Sequence, residues 1–307
     1  MGSVATPNDS NWPSAATLLC ERPVAGRRNV GLLGVSTYAT SVTPRSSTST
    51  PAAVRGALER YSTWMFSEAL DLAEHVALVD FGDVADPDGE GGGDRVAEAF
   101  ARWAPEIALR VILGGDNAAT WHALRALSGG DYSNYGLVTL DAHLDMRDGV
   151  SNGSPVRQLL EDGLDGNHVV QVGLADFSNS AVYARRAHEA GVTVISRDVL
   201  HHESVEEAAR RAVAQAGAGG RKVYVDIDMD AADRVAVPGC PAAAPGGLSA
   251  DEMRRFVRAI AVQHAVCAID ITEIDVERDT DDQRTVRLAA LLVLEALAGV
   301  QRRMQWP

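Results

Sequence analysis

The chain of 307 residues (32.5 kDa) carries 28 Lys and Arg against 42 Asp and Glu, a formal charge of −14. With 46% apolar and 23% charged residues it reads as a soluble globular chain, not a disordered one. The acidic balance speaks against general nucleic-acid binding and against docking on an anionic membrane, and leaves any anionic ligand to local arginines.

Residues 1–25, rich in Ser, Asn, Pro and Thr, read as a flexible N-terminal arm, followed by one domain over residues 26–307. Eight near-continuous apolar runs follow as strand candidates: Asn29–Val35, Val76–Phe81, Ile107–Leu113, Tyr135–Leu140, His168–Val172, Thr193–Ser196, Lys222–Ile227 and Ala265–Ile271. Runs without polar alternation are what parallel strands covered on both faces require. Helix-like segments lie between them: Pro51–Leu70, Asp94–Trp103, Ala118–Leu127, Val156–Asp162, Ser180–Glu189, Glu203–Ala216, Ala250–Gln263 and Asp282–Leu297. Ser249 and Glu252 have capping-box spacing at the start of the seventh. The alternation predicts an α/β fold, a three-layer α/β/α sandwich on a mostly parallel sheet of about eight strands. Two irregular stretches, 36–50 and 231–247, follow strands, where open α/β sheets place their ligand sites.

Cys20, Cys240 and Cys267 are odd in number and lack CxxC spacing, which fits a reduced cytoplasm and no thiolate zinc site. The apolar run near Leu288–Val300 is interrupted by Glu295 and is too short to span a bilayer.

Acids recur at the carboxyl ends of the strand candidates: Asp116, Asp141, Asp226 with Asp228, and Glu273. Carboxylates gathered there repel and are costly to bury, so a divalent cation is their natural partner. Asp141-Ala142-His143-Leu144-Asp145 places two carboxylates and an imidazole at i, i+2 and i+4, and Asp226-Ile227-Asp228-Met229-Asp230 repeats the acid spacing. Either motif alone reads most often as a solvated turn or helix cap. Two of them after buried strands, mostly oxygen donors with one imidazole, favour an ion such as Mn²⁺ over structural zinc. His201-His202 reads as a loop dipeptide outside the site.

These residues resemble the ureohydrolase superfamily of arginases, agmatinases and formimidoylglutamases. Gly114-Gly115-Asp116-Asn117 is similar to its GGDH motif, residues 141–145 match DAHxD, residues 228–233 with Pro238-Gly239 match DxDxxD…PG, and Asp270-Ile271-Thr272-Glu273 matches its last motif. The resemblance spans about residues 30–300 and implies an arginase-like catalytic domain with two Mn²⁺ ions. By the same resemblance Asp141 and Asp228 bridge the ions, Asp145 binds the first, and His143 and Asp230 bind the second. Asp226 is expected to support the turn. Asn117 stands where the family has a histidine ligand, which implies a weakened first site, or in the limit a metal-poor homologue without activity.

The segment after DAHxD, residues 146–158, lacks a histidine and is similar to the formimidoylglutamase pattern DLR…SGTPFRQ; residues 173–180, ending in Asn179-Ser180, resemble the same subgroup. This implies hydrolysis of N-formimidoyl-L-glutamate to glutamate and formamide, a step of histidine breakdown. Asp145 and Glu273 are the expected catalytic groups, and Arg147, Asn152, Arg157, Asn179 and Glu273 are expected to bind substrate. Two arginines suit a dicarboxylate substrate, although each has an alternative: Arg147 pairing with Asp148, and Arg157 capping a neighbouring element. A different guanidino-compound ureohydrolase is the other reading. The resemblance also implies a trimer or hexamer.

Overall fold

The apolar runs form strands because β-branched and aliphatic side chains pack well on a pleated surface covered from both sides. In the computed structural model, which describes residue 9, residues 11–44 and residues 49–303, the strands are β1 (Leu19–Cys20), β2 (Arg28–Val35), β3 (Trp64–Met65), β4 (Leu70–Asp71), β5 (Val76–Asp83), β6 (Ile107–Gly114), β7 (Tyr135–Leu140), β8 (Val169–Leu174), β9 (Thr193–Ser196), β10 (Lys222–Asp228) and β11 (Val266–Thr272). The helices are α1 (Thr50–Ala57), α2 (Leu72–His75), α3 (Gly92–Ala101), α4 (Ala118–Ser128), α5 (Pro155–Glu161), α6 (Ala181–Glu189), α7 (Val205–Ala216), α8 (Ala250–Val262) and α9 (Arg284–Arg302).

Nine strands form one sheet in the order β1-β5-β2-β6-β11-β10-β7-β8-β9, every pairing parallel. One face packs against α1, α7, α8 and α9 through side chains such as Val54, Ala212, Phe256 and Leu292. The other packs against α3, α4, α5 and α6 through Phe100, Leu124, Leu159 and Ala187. This is the three-layer α/β/α sandwich expected, with each expected strand present. The capping box at Ser249 and Glu252 is formed, and Ser204 with Glu207 makes a second one at the start of α7.

Two expectations need correction. The described part of the arm is docked on the domain: Ala15 and Leu18 are buried, and β1 adds a ninth strand beside β5. The buried apolar side chains outweigh the polar composition that suggested a loose tail. The helix expected over residues 51–70 ends at Ala57, and the chain continues through a 3₁₀ turn into the small antiparallel pair β3–β4. Tyr61, Ser62, Thr63 and Trp64 are weak helix formers at the point where it stops.

The order of strands matters most at the centre. The chain leaves β6, passes through α4, and returns as β7, but β11 and β10 lie between those two strands. The connections diverge there, which opens a crevice beyond the carboxyl ends of four adjacent strands.

Candidate metal and active site

Each of those four strands delivers polar side chains into the crevice. After β6, Gly115 must be glycine: a Cβ there would lie 2.2 Å from the Thr37 carbonyl oxygen. This close approach stitches residues 37–41 onto the motif. Thr37 Oγ1 donates to the Asp116 carbonyl (3.0 Å), and Ser41 Oγ donates to Asp116 Oδ2 (2.5 Å). Asn117 then opens α4.

After β7, the chain turns through Asp141, His143 and Asp145, with Asp145 at φ 52°. After β11, Glu273 stands at φ 61°. Left-handed backbone is rare for residues other than glycine and costs of order 1–3 kcal/mol, and it concentrates at functional sites. Both expected catalytic residues are held this way.

Ligand atoms of Asp141, His143 and Asp230 lie within 4.8 Å of one another, and so do those of Asp141, Asp145 and Asp226. Asp141 belongs to both groups. The second group contains Asp226, expected only to support the turn; Asp228, expected as a bridge, lines the adjoining cavity and accepts from the Asp230 amide (2.7 Å). His143 Nδ1 contacts Asp230 Oδ2 at 2.7 Å. Asn117 Nδ2 donates to Asp145 Oδ2 (2.6 Å), while its Oδ1 accepts from the hydroxyls of Thr120 (2.8 Å) and Thr272 (3.0 Å). The amide thus ties a carboxylate of the cluster to two threonines.

Burial, then the Asp230 charge, pushes the Asp141 carboxyl up to about 7 against the pull of His143. Burial and neighbouring carboxylates hold Asp145, Asp226 and Asp228 well above the usual range. Burial would raise Asp230 as well, but its hydrogen bond to His143 holds it low. Burial opposes the charging of His143, yet Asp141 and Asp230 outweigh it and raise its pKa to about 12. Beneath the cluster, burial lifts Asp270 to about 6 even though Tyr224 Oη donates to it (2.6 Å) and the Thr120 hydroxyl, shared with Asn117 Oδ1, lies 2.9 Å away. Asp141 Oδ2, Asp226 Oδ2 and Asp270 Oδ1 are buried without a hydrogen-bond partner among the described residues. Crowded, unsatisfied carboxylate oxygens beside one imidazole form a donor set that fits divalent cations.

A cavity of about 360 Å³ opens over the cluster, lined by His143, Asp145, Arg147, Asp228, Asp230 and Glu273 among others. Glu273 Oε1 accepts from the Asn117 amide (2.9 Å) and from Asn152 Nδ2 (2.8 Å). Arg147 is exposed on the wall. The alternative pairing of Arg147 with Asp148 is not formed, because Asp148 bonds to Arg186 at 2.8 Å.

Three expected substrate-binding residues are engaged elsewhere. Arg157 does not line the cavity: its guanidinium donates to the carbonyls of Arg147 (2.7 Å) and Gly149 (2.5 Å) and pairs with Glu161. It caps the loop that carries Arg147. Asn179 borders the cavity, but its Oδ1 accepts from the Leu144 amide (2.8 Å) and its Nδ2 donates to the Ala142 carbonyl (3.0 Å), so it braces the turn of the Asp141 motif. Asn152 accepts from the Val42 amide (2.9 Å) through Oδ1 and holds Glu273 through Nδ2. Thr120, Tyr224 and Thr272 also belong to the site, although no motif marks them in the sequence. The same i, i+2 parity that singled out Asp226 and Asp228 would have placed Tyr224 on their face of β10, and Thr272 on that of Asp270 in β11.

The arginase family matches residues 28–299. A formimidoylglutamase from Halalkalibacterium halodurans is 32% identical over 293 residues, covering 90% of this chain and 89% of that protein. The crystal structure of formimidoylglutamase from Bacillus subtilis superposes with a TM-score of 0.87 at 26% identity, covering 98% of this chain and 96% of that one. A Trypanosoma cruzi formiminoglutamase solved with Mn²⁺ shares the fold, with a TM-score of 0.84 at 21% identity over 94% and 99% of the two chains. The chain belongs to the arginase family of ureohydrolases and is a formimidoylglutamase-like hydrolase of amidine C–N bonds.

Proposed function

We propose that the protein hydrolyses N-formimidoyl-L-glutamate to L-glutamate and formamide with two Mn²⁺ ions, in an oligomer such as the trimer or hexamer that the family resemblance implies. The observation carrying the substrate is Arg147, an exposed guanidinium on the wall of the cavity that also holds His143 and the carboxylates of Asp145, Asp228, Asp230 and Glu273. Its guanidinium suits a substrate carboxylate at the far end from the reacting amidine, and would repel the cationic tail of an alternative such as agmatine.

Asp141, His143, Asp145, Asp228 and Asp230 would hold the cations, with Asp226 adjoining. Such an ion pair, when bound, supplies ionised water near neutral pH and polarises the amidine. The protein's own groups orient and move protons. Glu273, fixed by Asn117 and Asn152, accepts N–H bonds from the amidinium and presents its carbon to the nucleophile. Asp145 hands a proton to the leaving nitrogen, so that the C–N bond breaks to neutral formamide and the amine of glutamate. Asn117 steadies Asp145 from one side through its amide.

The test is a product assay on the Mn²⁺-supplemented protein with formimidoyl-glutamate, arginine, agmatine and guanidinobutyrate. Formamide and glutamate from the first substrate alone support the reading. Urea from any guanidino substrate at a higher kcat/KM overturns it.

A further inference from the structure

The opposite edge of the sheet, where the strands begin, has a cavity of its own. Its volume is about 520 Å³, and its walls include Phe100, Trp103, Arg110, Tyr135, Lys222 and Cys267. Arg110 lies in β6, Tyr135 and Lys222 open β7 and β10, and Cys267 is near the start of β11. The length of these strands sets the cavity roughly 20 Å from the catalytic crevice.

Its chemistry is one-sided. The Arg110 guanidinium sits 5.8 Å from the Trp103 ring, and Lys222 Nζ sits 5.9 Å from the Tyr135 ring. Among the described residues neither cation pairs with a carboxylate, and no acid lines the cavity. Burial pushes the Cys267 thiol up to about 11 against the pull of Arg110 and Lys222, so it offers no counter-charge. The hydroxyl of Tyr135 is already donated to the Leu127 carbonyl. Two further donors of these residues, Arg110 Nε and Trp103 Nε1, are buried and have no acceptor among the described residues.

We propose that this cavity binds a small organic anion, a carboxylate or phosphate group carried on an apolar body. The two cations take the anionic group, and the Phe100 and Trp103 walls take the body. The site stands independently of the substrate assigned above.

The Mn²⁺-loaded protein is titrated with benzoate and with phenyl phosphate by calorimetry. At least one probe is expected to bind with a Kd below about 1 mM, and the arm that binds identifies the head group. Lys222→Gln and Arg110→Gln should each weaken that binding roughly tenfold, while Arg147→Gln leaves it unchanged. Lys222 is exposed, so its variant folds and decides the matter if Arg110→Gln does not. Failure of both probes to bind, unchanged affinity in Lys222→Gln, or loss of binding in Arg147→Gln overturns the proposal.

Discussion

Mn²⁺ should stabilise the protein strongly at pH 8 and weakly at pH 5.5, because its ligands hold protons in the metal-free fold. Asp141 is lifted from 3.8 to about 7 and Asp270 from 3.8 to about 6, while Asp145, Asp226 and Asp228 rise as well. The displacement of Asp141 alone corresponds to roughly 4 kcal/mol of unfavourable charging. The sign follows from proton binding: the metal-free native state keeps protons that the unfolded chain releases near pH 4. Metal-free stability therefore falls as pH rises from about 4 through the Asp141 midpoint at about 7, and keeps falling beyond it because His143 holds its proton up to about 12 in the fold but not in the unfolded chain. A cation must displace the same protons, so its contribution grows over that window. Thermal unfolding with EDTA or with excess Mn²⁺ across the pH range measures both curves. Calorimetry at neutral pH in buffers of different ionisation enthalpy should register net proton release. Equal Mn²⁺ stabilisation at both pH values, with no proton release, would refute the view that these acids bind the ion as displaced acids.

The remaining expectations concern single side chains. Asn152→Ala removes the amide that fixes Glu273, and kcat should fall about 10- to 100-fold with little change in unfolding temperature. Arg147→Gln should raise KM for formimidoyl-glutamate by roughly tenfold or more while kcat changes little; an equal loss in kcat would remove its assignment to the substrate carboxylate. Asn117→His supplies an imidazole beside Asp145 and should tighten Mn²⁺ binding roughly tenfold, so an unchanged titration would show that this position does not act on the metal. Arg303 donates from a buried position to the carbonyls of Ala261 (2.7 Å), Ala108 (3.0 Å) and Val266 (2.9 Å). Arg303→Met should therefore cost about 3 kcal/mol in denaturant unfolding and leave the active site alone.

Much of this was legible in the amino-acid order. Continuous apolar runs marked the eight longer strands, and acids immediately after them marked the carboxyl edge, since both depend on local pattern. What pattern could not give was partnership. Arg157 and Arg147 look alike in sequence, yet one is tied to backbone carbonyls while the other lines the cavity. Asn179 and Asn152 share composition with substrate-binding amides, but both are bonded to elements distant in the chain or across a turn. The strand formed by Leu19 and Cys20 was hidden because two residues carry no periodicity, and only the exposed edge of β5 gives them a place. Tyr224 and Thr272 do not stand out in the sequence because neutral side chains carry no charge to mark them on the alternating face they share with the acids.

The position of β11 has a consequence for biosynthesis. It is the last strand to leave the ribosome, yet it belongs in the middle of the sheet, between β6 and β10. Until it inserts, both neighbours present unpaired parallel edges, and β6 is separated from β10 by a vacant lane. A nascent chain ending before Val266 cannot close the sheet, and its cation ligands on β7 and β10 lack the Glu273 side of the crevice. Assembly of the catalytic centre therefore waits for the insertion of β11. Long-range pairing of this kind is slow, which makes the interval before insertion the period of greatest exposure to aggregation and to chaperones.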